Sequence, residues 1–447
     1  MLRVLHVLLL VGSISDVSCK FDPIAFSYRQ PDYTFSTAQV VPYSTRVTNH
    51  NHASFTGGIF TCTKSGIYKF QIYGNSYTSA RIFLEIYRGS SLLATLYGHA
   101  NGDFATAGNV VILNLHSHDT IKVTTRGTYP VRLSNTNLNT FTGVEMGSLF
   151  LEPEFGYRIF PAFSATADHH QNIAGGDVVQ YHNELVDSFK AFNMSDGVFY
   201  SPSGGYYIFH FFSGTLSNNS VSQQHAELWL DLYQNNQYVC SIYAFTDFDW
   251  ADAGNTVILK LTQGDSVSVK SHAQKPNHLY GTQDHIYTTF SGAQLISDED
   301  LGDPDSYPVV VFSVGLTYNL TLPNGATLVY TKVFVDHTNN YDPGSGHYRI
   351  LISGVYEFNF HCLAETGKAV NLRLVKTGGS LLSEIYSHRV NHRSMAGNAV
   401  VVELTGGEEV YVVVYKETNF LVGGLREVYC TFSGHLLYAA QPDEIVG

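Results

Sequence analysis

Little in this sequence invites catalysis or compaction by cross-links. It has five cysteines in 447 residues, too few for a disulfide-dense scaffold. Charged residues are 14%, and 25 Lys and Arg stand against 38 Asp and Glu, a formal net charge of −13. Nucleic acid and anionic membranes both demand a basic face, so neither is expected as a partner. Thirty-nine glycines show no Gly-X-Y run, which excludes a collagen stalk. No Gly-x-Ser-x-Gly elbow, phosphate-cradling loop or His-Glu-x-x-His occurs, so an enzyme is not expected. The 20 histidines include His50 with His52, His116 with His118, and His169 with His170, but no Cys/His spacing of a zinc site appears. They read as surface residues. After the N-terminus no apolar run reaches the length of a membrane helix.

The N-terminus itself reads as an export signal. Met1-Leu-Arg3 precedes the apolar run Val4–Val11, and small residues follow at Ser13, Ser15 and Ser18. That run is too short to span a bilayer and matches a secretory signal over 1–19, with cleavage after Ser15, Ser18 or Cys19 all open. The expected product is secreted and extracellular.

What is present is repetition. Ala253-Gly-Asn255 opens an alternating apolar stretch through Val257, Leu259 and Leu261, and Gly264-Asp265 then turns the chain into Val267 and Val269. A period of two predicts strands, and the turn glycine predicts a hairpin. The unit recurs from Ala107-Gly-Asn109 to Val123 and from Ala396-Gly-Asn398 to Val412. A second motif, Gly-x-Tyr-x-Phe, appears as Gly66–Phe70, Gly205–Phe209 and Gly354–Phe358. Its large side chains, each worth roughly 1.5–3 kcal/mol when buried, predict a strand central in its sheet. The opposite face is more polar, as with Glu357, Asn359 and His361. A third motif, Thr-Phe-Thr/Ser-Gly, stands at Thr140–Gly143, Thr289–Gly292 and Thr431–Gly434. Gly108, Gly254 and Gly397 are 146 and 143 residues apart, so each repeat is a whole domain. Short strands punctuated by Gly, Pro and Asn, with no helical stripe, predict an all-β sandwich. Boundaries are expected at 20–151, 158–297 and 308–440. Glu152–Arg158 and Asp298–Pro308 serve as exposed linkers.

In this order the motifs resemble the C1q domain. The third unit is the fullest match, with Val311-Phe-Ser313, Tyr341–Tyr348, Ser353–Phe358, Ala396-Gly-Asn398 and Thr431–Gly434. Ala25-Phe-Ser27 and Ala162-Phe-Ser164 open the other two, both of which lack Tyr-Asp-Pro. In the first, His118 stands where the second has Gly264; His tolerates left-handed geometry, so the turn is expected to persist. The resemblance implies three tandem jelly-roll sandwiches of the C1q/TNF-like type, which self-associate in threes. Two arrangements stay open. The units pack around a pseudo-threefold axis within one chain, or they are beads on a string that trimerise between chains. The seven-residue first linker reaches at most about 25 Å, enough for neighbouring subunits.

The same resemblance implies non-enzymatic recognition. Two readings follow. The first is multivalent, lectin-like capture of glycans or proteins on microbial or cell surfaces, an innate-immune role. The second is a structural glycoprotein of extracellular matrix, mucus or mineral. Phe245, Phe248 and Trp250 are the candidate contact patch, with core packing as the competing account. Some relatives bind calcium near the trimer axis, and Asp247, Asp249 and Asp252 precede Ala-Gly-Asn in the second unit. Calcium takes six to eight oxygens, and this set does not repeat in the other units, so a solvated loop competes and no cofactor is assigned. Cys362 and Cys430 fall on strands that are neighbours in this fold and would bond if in register; the alternative is two buried thiols. Cys62 and Cys240 are expected unpaired or reserved for inter-chain bridging. Asn193, Asn218 and Asn319 head Asn-x-Ser/Thr sequons and are expected to carry glycans.

Overall fold

The computed structural model describes residues 22–99, 104–126, 130–148, 160–217, 225–247, 250–301 and 308–440. The expected signal over 1–19 and the linker 152–158 lie outside them.

Three jelly-roll sandwiches follow one another, and in each an inner sheet runs in the same strand order. In the first unit that order is Thr45–His50, Ala25–Arg29, Thr140–Ser148, Gly66–Asn75, Thr106–Leu115. The second has Asn183–Asp187, Ala162–Ala167, Thr288–Ser297, Gly205–Leu216, Trp250–Leu261. The third repeats it with Lys332–Asp336, Val311–Gly315, Thr431–Ala439, Gly354–Ala364, Ser394–Leu404. The Gly-x-Tyr-x-Phe strand has a neighbour on both edges, as its apolar load requires. Its Tyr68, Phe70 and Ile72 and their counterparts fill the space between the sheets. Helix is confined to one four-residue turn, Asp298–Leu301, and two short 3-10 turns among the described residues.

Register explains the Thr-Phe-Thr/Ser-Gly motif. Phe26, Phe163 and Phe312 lie opposite Gly143, Gly292 and Gly434 on the paired strand. A Cβ on those glycines would come within 2.3, 2.6 and 2.5 Å of core phenylalanine rings. The glycine is there for close approach of the rings, not for backbone freedom.

The unit read as a hairpin needs correction. Trp250–Leu261 pairs with Gly205–Leu216 in the inner sheet, whereas Ser266–Ser271 pairs with Val198–Tyr200 and Ala226–Gln234 in the outer one. The turn therefore crosses from one sheet to the other, as do its two counterparts. Alternation along both strands is the same whether they pair or arch. Each turn is closed by an acidic side chain accepting a backbone N–H three residues earlier: Asp119 from His116, Asp265 from Thr262, Glu408 from Thr405. Gly264 sits at φ +87° and His118 takes the same left-handed geometry at φ 76°.

The three sandwiches are packed around one axis within the chain. Thr106–Leu115, Trp250–Leu261 and Ser394–Leu404, the Ala-Gly-Asn strands, contact one another across it. Small apolar clusters bridge the units, such as Ile67 and Ile112 with Ile208, Ile258 and Val311.

Candidate functional site

The polar face of the central strands is turned onto the axis and sealed there. Lys69 Nζ donates to Glu357 Oε1 at 2.7 Å, with both side chains fully buried. Gln71 and Asn359 each donate to the same oxygen at 2.9 Å. Burial alone would raise the Glu357 carboxyl, but Lys69 and the Asn359 amide hold it below the usual carboxylate range. One layer along, Tyr73, Phe212 and His361, one from each unit, form a triangle with ring centroids 5.9–6.2 Å apart. The Ala-Gly-Asn glycine makes room for these rings, since a Cβ on Gly108, Gly254 or Gly397 would fall within 2.5 Å of one. Nearby, His210, His361 and His435 are buried and held neutral by the cost of desolvating their charged forms.

The seams between units use the other repeated residues. Asn109 donates to Tyr287 O and accepts from Thr289 Oγ1 of the second unit at 2.7 Å. Asn255 does the same with Tyr429 O and Thr431 Oγ1 of the third. Asn398 closes the ring on Asn137 O and Thr140 Oγ1 of the first. The Asn of one motif thus clasps the Thr of another motif in the next unit. Ser164 and Ser313, from the Ala-Phe-Ser motifs, accept Ile112 N–H and Ile258 N–H of the preceding unit. Sequence reasoning took these residues for scaffolding inside each unit. The signal available was that all three motifs recur together with polar residues at fixed places.

Of the residues proposed for calcium, Asp247 and Asp252 face different units. Asp252 is half-buried on the seam with the first unit, where its Oδ2 accepts Tyr97 N–H at 2.7 Å, and desolvation pushes its carboxyl well above the ordinary range. Asp247 instead faces the third unit, paired with His392 and with His225. Asp249 and Phe248 lie outside the described residues. The aromatic candidates also part company. Phe245 stacks on His392 of the third unit, centroids 4.0 Å apart, while Trp250 packs on Tyr97 of the first and on Tyr280. Both are half-buried in seams, so they do not form one patch.

The open surface lies elsewhere. In the first unit the segment Gln30–Ser44 separates two clefts of about 520 and 470 Å³. The larger is lined by Gln30, Asp32, Tyr33, Phe35 and Gln39. Tyr33 is 56% exposed with its ring 4.7 Å from that of Phe35. Asp32 accepts from Tyr77, whose ring carries the Arg132 guanidinium at 4.1 Å. The smaller cleft presents Glu85, Tyr87, Lys122 and Arg126. An aromatic face beside a carboxylate and the exposed Gln39 amide suits a sugar or a peptide, whose apolar face stacks while its hydroxyls or amides bond. The sequence signal for this cleft was Pro31-Asp32-Tyr33, which the other two units lack.

Cys362 and Cys430 are bonded. Their strands pair His361 with Thr431, which brings the two cysteines directly opposite. Cys62 and Cys240 are free and buried. Asn193 and Asn319 are exposed; Asn193 holds Ser195 of its own sequon at 2.8 Å, and Asn319 accepts Gly423 N–H. Asn218 lies outside the described residues.

The C1q domain model matches residues 25–144, 162–295 and 311–437. One of the human complement C1q subcomponent polypeptides is 26% identical over 137 residues, 31% of this chain and 53% of that protein. Human complement C1q and tumor necrosis factor-related protein 9B is 28% identical over 145 residues, 32% of this chain and 42% of that protein. The globular domain of zebrafish complement 1qA protein is 20% identical, covering 29% of this chain and 99% of that one with a TM-score of 0.26. The chain spans about half the length of the curated relatives it matches. No helix among the described residues is long and apolar enough to cross a membrane. Three matches in tandem, spread over most of the sequence, place the chain in the C1q domain family.

Proposed function

We propose that the chain is a secreted recognition protein that carries no catalytic activity and engages glycans or proteins on microbial or cell surfaces through the outer loops of its three units. The observation that carries this reading is the cleft at Gln30–Ser44, where the exposed Tyr33 ring, the Asp32 carboxylate and the Gln39 amide face solvent on the sandwich. Fixed mutual orientation of three units lets weak sites act together, since a second contact on the same surface becomes intramolecular.

The test is retention on immobilised bacterial and animal-cell glycans, run with the full secreted chain, with and without EDTA. Binding should occur, and a Tyr33→Ala, Asp32→Asn variant should lose at least tenfold of it while keeping its circular dichroism. Equal retention by the variant would remove the cleft as the site. Incorporation into an insoluble matrix without any glycan or cell binding would favour the structural reading.

A further inference from the structure

The second unit carries an unassigned group of metal-type donors at one corner of its inner sheet. Asp168 follows the strand Ala162–Ala167, His169 comes next, and His182 precedes the partner strand Asn183–Asp187. Those strands pair with Thr166 opposite Asn183, and His182 N–H donates to Thr166 O at 2.9 Å. The ladder therefore holds both ends of the corner in place. One donor atom from each of Asp168, His169 and His182 lies within 4.8 Å of the others, the only such three-residue group of His, Cys, Asp and Glu among the described residues.

The carboxylate is the informative member. Asp168 is 8% exposed, and its buried Oδ1 meets no hydrogen-bond donor of suitable geometry, though His169 Nδ1 lies against it and His182 Nδ1 is 3.9 Å away. A buried carboxylate oxygen aimed at two imidazoles and left without a proper donor is costly unless something positive completes it. The two imidazole side chains are 61% and 38% exposed, with ring centroids 4.8 Å apart, so an ion can enter from solvent without opening the fold.

We propose that Asp168, His169 and His182 bind a divalent transition cation of the zinc class, leaving its remaining coordination positions open to solvent. Two imidazoles and one carboxylate suit Zn²⁺ far better than calcium, which takes oxygen donors in greater number. The site belongs to the second unit alone. The corresponding positions, matched through Phe26, Phe163 and Phe312, are Pro31, Asp32 and Ser44 in the first unit and Thr317, Tyr318 and Thr331 in the third. The neighbouring His170 is turned away onto Tyr280, centroids 4.5 Å apart.

The experiment is calorimetric titration of Zn²⁺ into the EDTA-stripped full chain, repeated with His182→Gln, His169→Gln and Asp168→Asn. A control variant, His116→Gln with His118→Gln, accounts for zinc held by other surface histidines. One site of micromolar or tighter affinity is expected, unchanged in the control and weakened at least tenfold in each site variant. Co²⁺ in place of Zn²⁺ should give visible d–d absorption that the same variants abolish. Absence of that site in the stripped parent chain overturns the proposal. So does undiminished affinity in the two histidine variants, whose exposed side chains can change without loss of fold.

Discussion

At the scale of single residues, the axis is where the sequence is least replaceable. Lys69 and Glu357 come from corresponding places on the central strands of the first and third units, with Ile208 at that place in the second. Three copies of the first unit would gather three buried ammonium groups, and three of the third would gather three carboxylates. Only the mixed set is neutral, so this pair selects the arrangement as well as joining it. Buried ion pairs are weak contributors to stability against apolar substitutes, yet losing one partner strands the other charge. Lys69→Met should therefore destabilise by about 3–5 kcal/mol, whereas Lys69→Met with Glu357→Leu should recover most of that loss. Denaturant unfolding of both variants checks it; equal loss in the two would show that the pair is not what the single variant disturbs. None of this was readable from Lys69 itself, an ordinary lysine in an alternating strand. Its burial comes from a neighbour 288 residues away.

At the scale of elements, the Ala-Gly-Asn strand does three things at once. It closes the inner sheet, its glycine admits an axial ring, and its asparagine clasps the next unit. The clasp is buried, so truncating it leaves Thr431 Oγ1 and Tyr429 O without Asn255. Asn255→Ala should cost about 1–3 kcal/mol, the penalty for unsatisfied buried polar groups. Amide hydrogen exchange should rise along the seam between second and third units more than inside either sandwich. Uniform protection across that seam would contradict the clasp. The strands and their central position were legible, because period-two apolar patterning needs only a buried face. Their pairing was not: a turn closed by Gly264-Asp265 serves a hairpin or a sheet-crossing corner equally, and only partner strands distant in sequence decide between them.

At the scale of the whole molecule, the buried histidines at the axis make its stability depend on pH. His435 is held down to about 4 and His361 to about 3 by burial, against about 6.5 in an unfolded chain. A histidine with a lowered folded value stabilises fully above about pH 6.5. That contribution is lost as the pH falls toward the folded value, because the unfolded chain takes up the proton first. Asp231 and Asp252, raised by burial, act in the opposite sense, so the histidine effect is best read as a difference. Neither ring nitrogen of His435 has a hydrogen-bond partner, which makes His435→Leu a suitable comparison. Between pH 6.5 and 4 that variant should lose about 3 kcal/mol less stability than the parent chain. Parallel pH profiles of thermal unfolding for the two proteins would refute this.

The same corner of each sandwich carries a different set of side chains. The first unit has the cleft with Asp32 and Tyr33, the second has Asp168, His169 and His182, and the third has exposed Tyr318 beside the sequon at Asn319. The aromatic candidates Phe245 and Trp250 were conspicuous in sequence but are spent on the seams, since a large ring near an interface gains most by being covered.

The sequence by itself determined three β sandwiches, their family and their central strands, because repeated motifs and alternation report local geometry and one buried face. Only the tertiary structure decided that the three close on each other within one chain, which motif residues become seams, and which outer corners stay open. Those outcomes depend on contacts between segments more than a hundred residues apart, and in them a charge or an amide acquires its role from the unit it meets.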